Sequence, residues 1–413
     1  MDRRSSLRAA PLAVLLMVAA CGGGDPDNAD AQNPSTREQA QAIAGAELAR
    51  WTPLQSTPIV PISVANLPNG KLLLWSAENR FGFGSDLGRT YTVLYDTATG
   101  TMTERLVNET GHDMFCPGTS NLPDGRILVN GGLSSGKTSI YDGSTNTWTT
   151  AAAMNIPRAY QGNTTLADGS VLTLGGSWAG GVGNKHGEVW TEATGWKRLP
   201  GVPIDAMLST DPSRNFGMDS HLWLIPTGNG RVLHAGPGVN MNWIATQGDG
   251  RVSPAGPRGD DEFSISGNTV MYDTGKVLKT GGGPGYDSVN ANANSYVIDT
   301  ASGGVAVRRI ASMAYRRAFH NSVVLPNGQV VIIGGQTYAV GFSDANSVLV
   351  PELFDPVSET FTPMAPMAAP RNYHSIAILL PDARVMSAGG GLCGDGCAAN
   401  HPDLQILSPP YLF

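Results

Sequence analysis

The sequence predicts an all-β protein, a seven-bladed β-propeller behind a short export segment. Three observations carry that expectation. Gly accounts for 52 of 413 residues, well above the usual share of ~7%. Hydrophobic residues reach 41% while charged residues stay at 15%, so a sizeable core can be buried. One strand-like pattern recurs seven times along the chain. Gly shows no collagen-type period, and the apolar content is too high for a largely disordered chain. Long segments of 3.6 period are missing, which argues against a helical architecture.

The recurring unit ends a run of β-formers in small residues. It reads Lys71-Leu-Leu-Leu-Trp-Ser76, Arg126-Ile-Leu-Val-Asn-Gly-Gly132, Ser170-Val-Leu-Thr-Leu-Gly-Gly176 and Arg231-Val-Leu-His-Ala-Gly236. It continues as Lys276-Val-Leu-Lys-Thr-Gly-Gly282, Gln329-Val-Val-Ile-Ile-Gly-Gly335 and Arg384-Val-Met-Ser-Ala-Gly-Gly390. Polar turns such as Pro68-Asn-Gly70, Pro123-Asp-Gly125 and Pro326-Asn-Gly328 precede most of them. Asn-Gly and Asp-Gly favour hairpins because both residues tolerate positive φ. A second strand follows in Val93–Asp96, Ser139–Asp142 and Glu352–Asp355, and then an aromatic residue, Trp148 or Phe361. From Arg50 to Phe413 the seven units average about 52 residues. That is the period of kelch repeats, one four-stranded blade each. The paired glycines suit crowded backbone near the central channel. A β-sandwich with coincidental spacing is the competing architecture.

The N-terminus reads as an address. Three Arg precede the apolar stretch Ala9–Ala20, too short for an ordinary membrane span and shaped like an export signal. Val18-Ala-Ala-Cys21 resembles a bacterial lipobox, in which Cys21 would carry lipid. A plain secretory signal is the alternative. Residues 1–21 are therefore expected to be a signal peptide and 22–49 a flexible linker, with 50–413 forming the propeller. The composition from Gly22 to Thr36 cannot bury enough surface to fold, and Glu38–Arg50 has the makings of a short helix. The mature protein is expected outside the cytoplasm as a membrane-anchored lipoprotein, periplasmic or at the cell surface, touching the membrane only through that lipid.

The charge balance narrows the partners. Lys and Arg number 27 against 34 Asp and Glu, a net −7 without a basic run. Nucleic acid, which needs clustered cations, is not an expected partner. Four Cys are too few for a disulfide scaffold.

Five strings stand out as chemistry. They are Gly111-His-Asp-Met-Phe-Cys-Pro-Gly118, Arg158-Ala-Tyr-Gln161, Gly175-Gly-Ser-Trp-Ala-Gly-Gly181, Met241-Asn-Trp243, and Arg371-Asn-Tyr-His-Ser375 with Gly389-Gly-Gly-Leu-Cys-Gly-Asp395. Neighbours on a strand point to opposite faces. At a bend, however, Tyr373 and His374 can turn toward one metal. Imidazole and phenolate suit Cu(II), and a nearby metal favours the phenolate form. By itself the dipeptide is better explained as a core Tyr beside a hydrogen-bonded His.

In this order, the strings closely resemble the galactose oxidase and wider copper radical oxidase family. The resemblance runs from Arg50-Trp-Thr-Pro53 to Pro409-Pro-Tyr-Leu-Phe413. It implies copper held by Tyr160, Tyr373 and His374, and a thioether joining Cys116 to Tyr160, which carries a tyrosyl radical. It implies that Trp178 shields the radical and that Tyr373 is the base for the substrate hydroxyl. It also implies that Arg214, Phe83 and Phe342 contact substrate, and that Cys393 and Cys397 form a disulfide. The expected reaction takes a primary alcohol and dioxygen to an aldehyde and hydrogen peroxide.

Two departures matter. Asp287 stands where galactose oxidase has Gln, and an ionised carboxylate accepts hydrogen bonds but donates none. The family also continues into a C-terminal β-sandwich that supplies a second His ligand, whereas this sequence stops at Phe413. His112 and His401 are the His residues near in sequence, in strings the family shares for other reasons. A β-sandwich encoded downstream would complete the site. Aldehyde oxidation of the glyoxal type is one alternative function. A surface-anchored binding propeller with an incomplete copper site is another.

Overall fold

The computed structural model describes residues 49–413 except 210, 212–217 and 228–229. The expected signal peptide and Cys21 lie outside the described residues, as does the expected linker up to residue 48. Arg214 does too.

Seven antiparallel sheets, six of four strands and one of five, surround a central axis, confirming the propeller. In blade 1 the strands are Ser63–Asn66, Lys71–Trp75, Thr90–Asp96 and Met102–Val107. All seven runs picked out by pattern are the second strands of their blades. The last blade is composite. Ser375–Leu379, Val385–Gly389 and Asp403–Ser408 come from the C-terminal part of the chain. Its outer edge is the N-terminal Arg50–Trp51 and Gln55–Ser56, with Arg50 opposite Ser408 and Gln55 opposite Leu404. Seven equal consecutive units were therefore the wrong division. The final blade closes the ring by hydrogen-bonding the two ends of the propeller. Arg50 is accordingly in a strand, not at the end of the expected helix, because this edge needs a partner.

The core is a set of seams between blades. Alternate residues of one strand serve different seams, since successive side chains point to opposite faces. Val331 and Ile333 pack toward the last blade with Val385 and Leu407. Val330 and Ile332, on the same strand, pack toward the preceding blade with Leu278. Leu72, Leu74 and Val93 meet Ile376, Met386 and Leu404 across the closing seam. A strand buried on both faces must be apolar throughout, which explains the unbroken runs of Val, Leu and Ile.

The turns differ in detail from the expectation. Gly70, Gly125, Gly169 and Gly328 have φ of 80–85°, but the Asn and Asp before them are not left-handed. The Gly70 N–H donates to Leu67 O at 3.0 Å and the Leu67 N–H to Lys71 O at 3.0 Å. This is a three-residue hairpin with one left-handed position. The paired glycines meet a different demand, at blade junctions. In four of the pairs the second Gly donates its N–H to the loop of the next blade. The Gly132 N–H reaches Arg158 O at 2.9 Å, that of Gly282 reaches Arg317 O at 2.8 Å and that of Gly335 reaches Arg371 O at 2.8 Å.

A Cβ on Gly389 (φ +70°) would run into the Pro61 carbonyl, whereas Gly328 (φ +83°) has nothing within 4 Å. Gly389→Ala should cost about 3 kcal/mol, from left-handed strain plus backbone collision. Gly328→Ala should cost only about 1 kcal/mol, from strain alone. Urea unfolding midpoints of the two variants measure the difference. Equal losses would show that the seam does not limit the residue.

Candidate functional site

The site is built where the chain bends into the innermost strand of each blade. Cys116, Tyr160, His221, Ser266 and Phe319 each stand two residues before such a strand, all with φ between 54° and 61°. Left-handed backbone is strained for side-chain-bearing residues, at about 1–2 kcal/mol each, and such strain gathers at functional sites. Main-chain bonds link these bends around the axis. The Tyr160 N–H donates to Cys116 O at 3.0 Å, the His221 N–H to Tyr160 O at 2.8 Å, and the Phe319 N–H to Ser266 O at 2.9 Å. The last blade bends one residue later, at His374 with φ 66°.

Buried arginines hold several bends. Arg158 is fully buried, pairs with Glu188 at 3.0 Å and donates to Gly175 O at 3.0 Å. Arg317 does the same with Glu352 at 2.8 Å and Gly334 O at 2.7 Å. Arg371 pairs with Asp403 and donates to Gly389 O at 3.0 Å. Tyr160, Phe319 and Tyr373 each follow such an arginine by two residues, so the clamp aims an aromatic ring at the axis.

Three potential metal donors converge there. The Tyr160 and Tyr373 hydroxyls are 2.7 Å apart, and Tyr160 Oη lies 3.4 Å from His374 Nε2. Tyr373 and His374, though adjacent, stack with ring centroids 3.8 Å apart; the bend at His374 removes the strand alternation. His374 Nδ1 lies 2.7 Å from Gly391 O. Donation of Nδ1–H to that carbonyl leaves the Nε2 lone pair facing the phenols, a ligand-ready tautomer. Burial lowers the His374 pKa to about 4, against the opposing Gly391 bond. The imidazole is therefore neutral at ordinary pH. The residues present fit Cu(II), which favours imidazole nitrogen with oxygen donors. No group of three His, Cys, Asp or Glu that could hold a metal occurs among the described residues.

Cys116 lies beside this set, its Sγ 3.9 Å from His374 Nε2. Burial pushes its thiol pKa up, while a hydrogen bond with Tyr160 opposes the shift. Burial, then Cys116, also raises the Tyr160 phenol well above its ordinary value. Trp178 leans over Tyr160 with ring centroids 5.1 Å apart. Phe83 stacks on Phe115 at 4.0 Å and meets Phe342 at 5.9 Å. Both Phe83 and Phe342 are exposed, 38% and 39%, and rim a cavity of about 320 Å³ floored by Tyr160 and Tyr373. Asp287 lines the same cavity.

Other predicted residues sit elsewhere or remain undescribed. Cys393 and Cys397 are bonded, their Cα atoms 5.8 Å apart. His112 is buried between Ser139 and Gly131, and His401 bonds Asp344. Neither reaches the phenols. Met241 and Trp243 pack in a seam between blades. Two residues at the site escaped the sequence reading. The Tyr286 hydroxyl donates to Tyr373 Oη at 2.7 Å. His221 meets Tyr160 edge-on at 4.8 Å and stacks on Tyr286 at 5.8 Å. His221 precedes its inner strand by the same two residues as Cys116 and Tyr160, a spacing that could have exposed it.

Comparison with known proteins settles the relationship. A solved copper-bound structure, described as a novel fungal alcohol oxidase with catalytic diversity among the AA5 family, superposes with a TM-score of 0.85. It is 43% identical, over 89% of this chain and 77% of that one. The chain belongs to the galactose oxidase family of copper radical oxidases. Galactose oxidase of Gibberella zeae is 42% identical over 378 residues, 89% of this chain and 55% of the relative. The chain thus spans about half the length of the curated galactose oxidases it matches. An aldehyde oxidase of Arabidopsis thaliana, GLOX1, is 38% identical over 111 residues, 24% of this chain and 18% of the relative. The family model for the glyoxal oxidase N-terminus matches residues 292–393.

Buried neutral histidines make stability pH-dependent. Burial, then Arg258, lowers the His234 pKa to about 3, below the unfolded value of about 6.5. Its contribution is complete above about pH 6.5 and is lost as pH falls from there toward 3. Denaturant unfolding should show stability dropping across that window. In His234→Gln the drop should be shallower by about 1.4 kcal/mol per pH unit.

Proposed function

We propose that this chain is the catalytic propeller of an oxidase that converts a primary alcohol to an aldehyde while dioxygen becomes hydrogen peroxide. One observation carries the reading: Tyr160, Tyr373 and His374 present three donors to one point, with Cys116 alongside. Alcohol oxidation releases two electrons and two protons, which dioxygen takes up as peroxide. Bound copper would supply one-electron redox chemistry beside Tyr160. Tyr160, joined to Cys116, holds the second oxidising equivalent as a radical, and the sulfur substituent spreads the unpaired electron. Trp178 covers that ring from solvent. Tyr373 accepts the alcohol proton, with Tyr286 and Tyr160 hydroxyls 2.7 Å from its oxygen. The thioether forms with loss of the Cys116 thiol hydrogen and one Tyr160 ring hydrogen, both passing to dioxygen.

The glyoxal oxidase model match favours a second reading, in which an aldehyde is the substrate at the same residues. Export and lipidation at Cys21 belong to this proposal too, supported by the Arg-led apolar leader.

The test combines copper, oxygen and mass spectrometry. Copper loading under air should lower the intact mass by two hydrogens, and Cys116→Ser should abolish that change. His374→Ala should weaken Cu(II) binding roughly a hundredfold or more. Peroxide released from a panel of alcohols and aldehydes distinguishes the two substrates. Bound copper without crosslink or peroxide would sink the oxidase reading.

A further inference from the structure

The cavity above the phenols has an unusual lining. Phe83, Phe115, Trp178, Tyr286 and Phe342 present aromatic surface, and Asp287 is the one formally charged residue among its described lining residues. The carboxylate is built in rather than loose. Its Oδ1 accepts from the Ser288 N–H at 2.9 Å and the Gly341 N–H at 3.1 Å. The Ser288 N–H also lies 2.7 Å from Ala339 O, and Val289 pairs with Ala339 across a two-stranded ladder. That ladder ties the loop bearing Asp287 to the loop bearing Phe342. No cation among the described residues forms an ion pair with Asp287.

We propose that this cavity selects primary alcohols carrying a positive charge, an ammonium group close to the carbinol, with Asp287 as the specificity-determining residue. The inference rests on the oxidase reading and names its substrate class. A cation gains twice here: from the carboxylate, and from the negative faces of aromatic rings. A neutral polyol gains less. Asp287 can accept from its hydroxyls, but the rest of the described wall is mostly hydrocarbon, and hydroxyls desolvated against it go unpaired. An anionic substrate meets repulsion from Asp287. Chemically the reaction is unchanged: the charged alcohol and dioxygen give the charged aldehyde and hydrogen peroxide.

The experiment compares choline with its neutral isostere 3,3-dimethylbutan-1-ol, in wild type and in Asp287→Asn. The amide keeps an Oδ1 acceptor for both backbone N–H groups, so the loop retains its ties. Wild type should favour choline in kcat/KM by about ten-fold or more, and the ratio should fall toward one in Asp287→Asn. A second arm needs no turnover. Titration calorimetry of copper-free protein should show tetramethylammonium binding that Asp287→Asn weakens about ten-fold. Equal use of both alcohols by wild type would overturn the proposal, and so would a preference that survives the substitution. Peroxide from neither alcohol nor any member of the wider panel, with copper bound and tetramethylammonium held through Asp287, would sustain the cation site and overturn the oxidase reading instead.

Discussion

The hook of a buried arginine on a glycine carbonyl is the interaction on which this propeller's centre depends. Arg158, Arg317 and Arg371 each satisfy a carboxylate and a main-chain oxygen without contacting solvent. A charge so placed would be costly if unpaired. Pairing makes the geometry exacting, since only the native bend brings all partners together. The neighbouring left-handed residues are strained, and the clamp with the main-chain links around the axis holds them so. The same bends that close the ring therefore aim Tyr160, Tyr373 and Phe319 inward. Fold and site are two results of one repeated local structure.

That economy explains why the side chains of the candidate site sit at equivalent places in different blades. Cys116, Tyr160 and His221 occupy the same position in three successive blades. Each blade contributes one side chain, and the ring sets their spacing. Tyr373 and His374 break the pattern by one residue, which lets a single blade contribute two donors. The loops above the bends are freer to differ, and they carry Phe83, Asp287 and Phe342. The cavity rim thus lies in segments that the ring supports but does not constrain.

How much of this was legible beforehand varied by residue. The second strands announced themselves because burial on both faces forces continuous Val, Leu and Ile, as in Val330–Ile333. The composite last blade did not, because Arg50–Trp51 is too short to show a pattern. Cys116, Tyr160, Trp178, Tyr373 and His374 were legible through family resemblance, each within a distinctive string. Tyr286 was not, since a lone aromatic carries no periodic signal and its place at the site is a matter of distance to Tyr373. His221 was legible only through its place two residues before an inner strand, once that strand is known.

The sequence by itself determined the fold class, the number of blades and the identities of the candidate donor residues, because each leaves a local mark on residue choice. The tertiary structure decided which end of the chain closes the ring, and that residues from separate blades meet within hydrogen-bonding reach. It also decided that His374 turns Nε2 rather than Nδ1 toward the phenols, because the Gly391 carbonyl stands on its other side. It brought Asp287 into an aromatic cavity as well. These outcomes depend on contacts between distant segments, and composition and period cannot record them.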